Sequence, residues 1–538
     1  MRNLIMNRAL AGIFAAVFIA GGSAANAQGT LRIGMTASDI PLTTGQTDNG
    51  GEGMRFMGYT VYDALINWDL SSATKPSGLV PGLAASWGLD EGDPAKTKWI
   101  FKLREGVKFH DGSDFTADAV IWNLDKIIKK DSPQFDPRQS GQGLTRIPAV
   151  GAYRAVDKYT VEITTKVPDA TLPYQIAWIM MSSPAQFEKV GKTWDAFART
   201  PSGTGPWKLD KFVPRERAEL VPFKEYWDKA RVPKLDRLVL LPLPEANARV
   251  AALRSGQVDW IEAPPPDAVP SLKAAGMQIV TNAYPHNWTW HLSRIEGSPW
   301  NDVRVRKAAN LAIDREGMKE MLSGLMIPAQ GFFPPGHQWF GNPAFRLTHD
   351  VAAAKKLMAE AGYGPNKPLK TKILISASGS GQMQPLPMNE FVQQNLAEIG
   401  IQVEFEVVDW NTLINIWRAG AKHETARGAT AMNYTYFLQD PFTGFIRHVQ
   451  CSFGPPNGTN WGYYCDPEMD KLLDQVRNTF DPAAQAKVLE KIHEKYVDEA
   501  LFLMVTHDVN PRAMTPKVKG FVQAQNWFQD FSPVSVAP

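Results

Sequence analysis

Cysteine is almost absent. Cys451 and Cys465 are the only two in the chain, too few for a disulfide-built scaffold, and no further ligands stand near them at metal-site spacing. They bound CSFGPPNGTNWGYYC (residues 451–465). In an oxidising compartment a disulfide could close this Pro/Gly/Asn-rich loop, contributing roughly 3 kcal/mol on the chain-entropy model; two separate thiols are the alternative. Excess charge is absent as well, with 57 Lys+Arg against 55 Asp+Glu. Both surplus positives, Arg2 and Arg8, fall in the first 27 residues, where there is no acid. The rest is neutral, which gives no support for a nucleic-acid or membrane surface. Long hydrophobic runs are missing too. ALAGIFAAVFIAGG (residues 9–22) falls short of the roughly 20 residues needed to span a bilayer. It follows two arginines and precedes Ala25-Asn26-Ala27, the small-x-small form that signal peptidase accepts. This pattern predicts a secretory signal cleaved before Gln28 and a soluble exported chain. No cysteine follows the run, so a lipid anchor is not expected.

Catalytic signatures are equally scarce. There is no phosphate loop; GTGPW (residues 203–207) lacks the lysine that would reach phosphates. No G-x-S-x-G elbow occurs, and SASGSGQ (residues 376–382) only approximates a glycine-rich turn. His493-Glu494 begins a metalloprotease-like pattern, but Val497 stands where the second ligand would be. His286 and His291 are five apart, which places them on opposite faces of a strand. No catalytic residue or cofactor is expected. A secreted hydrolase would need paired carboxylates whose spacing only the fold could reveal.

What is present is an α/β pattern long enough for about three domains or lobes. LRIGM (31–35), WIFKL (99–103), YTVEIT (159–164), LDRLVLL (235–241), LKTKILIS (369–376) and IQVEFEVVDW (401–410) read as strands. Thr116 is placed to cap a helix whose Val120, Leu124, Ile127 and Ile128 share one face. Asp302 is placed to cap one long helix, VRVRKAANLAIDREGMKEML, ending before Gly324. The helix FVQQNLAEIG between two strands fits a βαβ unit. Tryptophan is plentiful, with 17 residues. Clusters such as NWTWH (287–291), NWGYY (460–464) and YTYFLQDPFTGF (434–445) could wall a ligand cleft or simply fill a core.

Several blocks carry a specific resemblance. ALINWDL, PGLAASW and WIFKLREGVKFHDGSDFTADAVIWNLDKI come first, then PSGTGPWKLDKFVPRERAELVPFKEYWD, NDVRVRKAANLAIDREGM and NGTNWGYYCDPEMDKLLDQV. Their order and spacing resemble the family-5 extracellular solute-binding proteins, the dipeptide-, oligopeptide- and nickel-binding components of bacterial ABC importers. The resemblance implies a periplasmic-binding-protein-like fold of two α/β lobes around a hinged cleft, with an extra subdomain on the first lobe. On this chain the first lobe would comprise residues 28–74, 201–284 and 505–538, the extra subdomain 75–200 and the second lobe 285–504. The chain would cross between lobes near NAYPHNW and LFLMVTH. FHDG and GTGP would hold turns, with Gly112, Gly203 and Gly205 at positions of unusual φ or close packing. The resemblance further implies a periplasmic monomer without catalysis, partnered by the permease subunits of an importer.

Peptide-binding members carry a W-x-x-D-Y-x-D-P type segment whose first Asp pairs with the ligand's α-ammonium. Aligned on Asp440-Pro441, this chain has Phe437 in place of that Asp and Leu438 in place of the Tyr. An ammonium buried there without a partner would cost several kcal/mol. The expected ligand therefore lacks a free α-amino terminus or binds it elsewhere: a modified peptide, an opine, an aromatic or organic acid, or a sugar-like molecule stacking on tryptophan. A nickel or other metal chelate on the same scaffold is the alternative. Candidate ligand-binding residues are Trp288, Trp290, Trp410, Tyr434, Tyr436, Phe437, Asp440 and Trp461.

Overall fold

The alternation in WIFKL and YTVEIT becomes a four-stranded antiparallel sheet. A computed structural model describes residues 29–37, 40, 44, 54–379 and 381–537. The segment 1–27 expected to be a secretory signal, the cleavage point expected before Gln28 and most of the glycine-rich stretch 43–53 lie outside the described residues. In this sheet Lys98–Leu103 lies between Ala84–Leu89 and Thr160–Thr165, with Val150–Asp157 beyond. Trp99, Phe101 and Leu103 are buried while Lys98 and Lys102 are exposed, the period of two that a half-covered strand requires. The covering helix is Ala117–Ile128. Thr116 stands at its N-cap but makes no side-chain cap hydrogen bond. The helix start therefore rests on burial of Val120, Leu124 and Ile127 and not on a capping hydroxyl.

Beside two short two-stranded sheets there are two larger mixed ones. The first runs, in spatial order, Gln278–Val280, Arg512–Met514, Trp260–Glu262, Thr30–Met35, Arg237–Pro242, Arg217–Pro222 and Trp207–Val213. Thr30–Met35 is parallel to both neighbours, and its Leu31, Ile33 and Met35 are fully buried. The second runs Met326–Pro328, Phe502–Asp508, His286–Leu292, Ala431–Phe437, Leu369–Ser376 and Ile401–Val408. The last two strands are parallel and joined through the helix Pro385–Glu398, as the βαβ spacing implies. The chain passes from the first sheet to the second between Val280 and His286, and returns between Asp508 and Arg512. The return comes after LFLMVTH, because that segment is itself a strand of the second sheet.

Local expectations also differ from the structure after Asp302. The segment expected as one long helix after Asp302 is two, Val303–Ala312 and Arg315–Met321. Ile313 is extended between them, and the Asp314 side chain accepts from the Gly317 amide to cap the second. The GTGP glycines serve close packing: a Cβ would stand 2.2 Å from Val61 O at Gly203 and 2.6 Å from Tyr62 N at Gly205. Gly112 has φ +89°.

His493 has a packing role. Its Nε2 accepts from the amides of Phe332 (3.0 Å) and Phe333 (3.1 Å), and its Nδ1 donates to Phe340 O (2.7 Å). Burial pushes the imidazole down to about 4, against a smaller upward pull from the Phe340 carbonyl. A protonated ring could not accept from two amides, so this group's stability is present above about pH 6.5 and lost as pH falls towards 4. His493→Leu is expected to cost about 2–3 kcal/mol at pH 7, because two buried amides lose their acceptor. Its denaturant-derived stability should also fall less steeply between pH 6 and 4.5, by up to about 1.4 kcal/mol per pH unit. An unchanged slope would mean that His493 does not stay neutral on folding.

Candidate functional site

The strand Ala431–Phe437 lies in the middle of the second sheet and carries the aromatic run of residues 434–437. Successive side chains alternate between faces, so the run divides. Tyr434 stacks on Trp417 (centroids 4.8 Å, 12°) and on Trp410 (5.9 Å, 14°). Trp410 opens the helix Trp410–Ala419, capped by Asp409, and does not end a strand as its sequence suggests. Tyr436 is hydrogen-bonded to His291 Nδ1, and its ring centroid lies 4.0 Å from that of His448.

Phe437 is on the opposite face, at the end of the strand. There it meets His286 (4.5 Å), Trp527 of the C-terminal segment (5.0 Å) and Trp178 (5.7 Å). Trp178 follows the helix Leu172–Ile176, which comes after the last strand of the four-stranded sheet. Side chains from three parts of the fold therefore converge on Phe437. Farther out, the Ala170 amide donates to Arg477 O (2.7 Å), and Trp99 packs on Phe480 (6.2 Å).

Trp288 and Trp290 do not join this set. They lie at the strand interior under the helix layer, buried with Val305, Ala308, Met388 and Val392, and Trp290 Nε1 donates to Asn389 Oδ1 (2.8 Å). Trp461 is also core. It is fully buried, 5.7 Å from His291, within the loop that a Cys451–Cys465 disulfide closes. All three sit where helices or loops cover the sheet, so their size fills space between layers. Asp440 is buried and caps a turn, its two oxygens accepting from Thr443 N (2.7 Å) and Thr443 Oγ1 (2.6 Å). Burial raises its carboxyl above the usual range, against the pull of the Thr443 bonds and of Arg146.

Arg146 is a residue that sequence patterns did not single out. It stands in the loop before Val150–Asp157 and is 5% exposed. Its guanidinium lies 3.9 Å over the Trp178 ring and 5.3 Å from the Phe437 ring. Burial, reinforced by Arg447 and Arg418, holds its pKa well below the ordinary value. Arg447, on the short helix Arg447–Val449, donates through Nε to Thr459 Oγ1 (3.1 Å) and lies over Trp417. Burial lowers it to about 10. Arg418 follows Trp417 on its helix and is lowered by burial too. His286 stands beside Phe437 with both ring nitrogens buried without hydrogen-bond partners; Gln382, whose neighbour Gly381 abuts the His286 ring, likewise has both amide atoms buried without partners. Arg146 lies in GLTRIPAV (residues 143–150), and no local spacing marks it. Among the described residues no group of three or more His, Cys, Asp or Glu is placed to hold a metal ion.

Comparison with known proteins agrees with this architecture. The glutathione-binding protein GsiB of Escherichia coli K12 is 28% identical over 432 residues, which is 79% of this chain and 80% of that protein. Among solved structures, the Helicobacter pylori periplasmic binding protein DppA in complex with the peptide STSA matches with a TM-score of 0.78 at 23% identity, covering 95% of this chain and 98% of that one. AgaA from A. tumefaciens R10 in complex with agropinic acid matches with a TM-score of 0.77 at 22% identity, covering 95% and 99%. The fold is thus the mixed α/β one of periplasmic binding proteins. The model of "Bacterial extracellular solute-binding proteins, family 5 Middle" matches residues 78–449. The chain belongs to family 5 of the bacterial extracellular solute-binding proteins, a family of binders and not of enzymes.

Proposed function

We propose that this chain captures a small peptide-like or other organic solute in the periplasm and hands it to the permease subunits of an ABC importer. The observation that carries this reading is the convergence on Phe437 of Trp178, Trp527 and Arg146, which come from different parts of the fold. A solute held there would touch both large sheets' surroundings at once, so its contacts would favour the closed arrangement. Trp410, Tyr434, Phe437 and Asp440 remain on the ligand side of this reading, joined by Trp178, Arg146, His286 and Gln382. The relatives fit the solute class: one is named for glutathione, and the solved structures hold the peptide STSA and agropinic acid.

On this reading residues 28–74, 201–284 and 505–538 form one lobe, with 75–200 as its extra subdomain, and 285–504 form the other. Sheet membership supports this division, with the last boundary moved to about residue 509 because the strand Phe502–Asp508 pairs in the second sheet. The protein would act as a monomer, with its signal removed before Gln28.

A thermal-unfolding screen of the exported chain against peptides, opines, sugars, aromatic acids and metal chelates tests the function. A solute at 100 times its Kd should add about 2.7 kcal/mol and raise Tm. Its binding should also change tryptophan fluorescence, since Trp178 and Trp527 flank the site. Stabilisation confined to a metal-loaded chelate would favour the chelate reading, and consumption of the bound solute would overturn both.

A further inference from the structure

Resting on that reading of the cleft, we propose that the solute is recognised as an anion: a small organic molecule whose carboxylate or phosphate oxygens sit against Arg146, and which brings no α-ammonium to Phe437. The first support is the condition of Arg146. Its side chain is buried, and Nε and Nη1 have no hydrogen-bond partner. A guanidinium carries five donors in a fixed planar fork. Leaving it buried and unpaired is among the most unfavourable arrangements available to a side chain. Its stacking on Trp178 offsets only part of this. A planar fork with unpartnered N–H groups, held 3.9 Å over an indole, suits two oxygens of an incoming anion.

The surroundings point the same way. Arg447 and Arg418 both act on the charge of Arg146, and the carboxylate that acts against them there is Asp440. Both Asp440 oxygens already accept from Thr443. Tyr434, the other acidic group there, is held above its ordinary range by burial and stays a neutral phenol. The field at this end of the cleft is therefore positive. An ammonium would be repelled by it and would find a phenyl ring at residue 437 where a carboxylate could have met it.

The test uses the exported chain, Arg146→Met and Arg146→Lys in thermal unfolding and calorimetry. The probes are matched pairs differing in charge: N-acetyl-alanyl-glutamate and its bis-amide, phenylacetate and phenylacetamide, succinate and succindiamide, and glucose 6-phosphate and glucose. Alanyl-alanine amide serves as a cation. At least one anion is expected to raise Tm while its neutral partner and the cation do not. Its affinity should fall about 30-fold or more in Arg146→Met, and less in Arg146→Lys, which keeps the charge without the fork. The first three pairs against the fourth separate carboxylate from phosphate recognition. Ligand-free Arg146→Met is expected to melt at or above the wild-type temperature, because it removes a buried unpaired charge. A guanidinium retained for structure would give the opposite sign. Equal binding of acid and amide, binding of the cation, unchanged affinity in Arg146→Met, or a ligand-free variant that melts below wild type would each overturn the proposal. No shift with any of these anions would overturn it as well, leaving the importer function to the broader screen.

Discussion

Glu262→Leu is expected to destabilise the protein by about 3–5 kcal/mol, read as a lower urea midpoint with an unchanged m-value. Glu262 ends the strand Trp260–Glu262 and is almost completely buried. Its carboxylate accepts from Arg512 Nε (2.9 Å), from Trp260 Nε1 (2.8 Å) and from Arg55. Burial alone would push this carboxyl up; Arg512 and then Arg55 outweigh it and hold the group below its usual range. Leucine fills the space but leaves two buried guanidiniums without their carboxylate, which is the unfavourable half of a buried ion pair. Arg512 keeps its bond to Gln529 Oε1 (2.9 Å) and its place near the Trp260 ring, but neither neutralises it. Glu262→Gln retains an acceptor and should lose roughly half as much. The location adds a consequence. Arg512 begins the strand on which the chain re-enters the first sheet, so loosening this knot should also weaken solute binding by slackening the crossing. A loss below 1 kcal/mol in Glu262→Leu would show that the two arginines are satisfied without it.

Much of the frame was legible because it depends on local period. Trp99 to Leu103 and the pair Leu369–Ser376 and Ile401–Val408 announce themselves by alternation and by the helix between them. The sequence after Asp302 reads as one helix where there are two, because Ile313 fits a helical apolar pattern. Only the second cap, Asp314, ends the first helix and restarts the chain, and a capping residue inside an apolar period is easily passed over. The site was legible in part. The strand holding Tyr434, Tyr436 and Phe437 could be found, but the fate of each ring depends on what covers it. Trp288 and Phe437 share a face of the same sheet; one lies under helices and the other at the open end of its strand. Arg146 comes from nearly 300 residues away in sequence, and its unpaired state is a property of the assembled fold.

Phe437→Asp is expected to reverse the charge preference of the cleft. The new carboxylate would stand beside Arg146, whose guanidinium already lies 5.3 Å from the Phe437 ring, and would pair with it in the absence of solute. An anionic solute would then have to displace an internal partner, and its affinity should fall by about 2–5 kcal/mol, on the order of 30-fold or more. Amine-bearing dipeptides should gain, since their ammonium would meet a carboxylate at residue 437. Ligand-free stability is subject to two opposed effects: lost apolar contact with Trp178, Trp527 and His286, and a new partner for a charge that had none. The net change in Tm without solute should therefore be small. Phe437→Leu separates the two effects, because it removes the ring without adding charge and should weaken an anion several-fold at most. Calorimetry of both variants with the anion found to bind the wild type, and with alanyl-alanine, reads the outcome. If Phe437→Asp binds that anion as tightly as the wild type does, residue 437 does not face the solute, and the aromatic run of residues 434–445 is packing between parts of the fold.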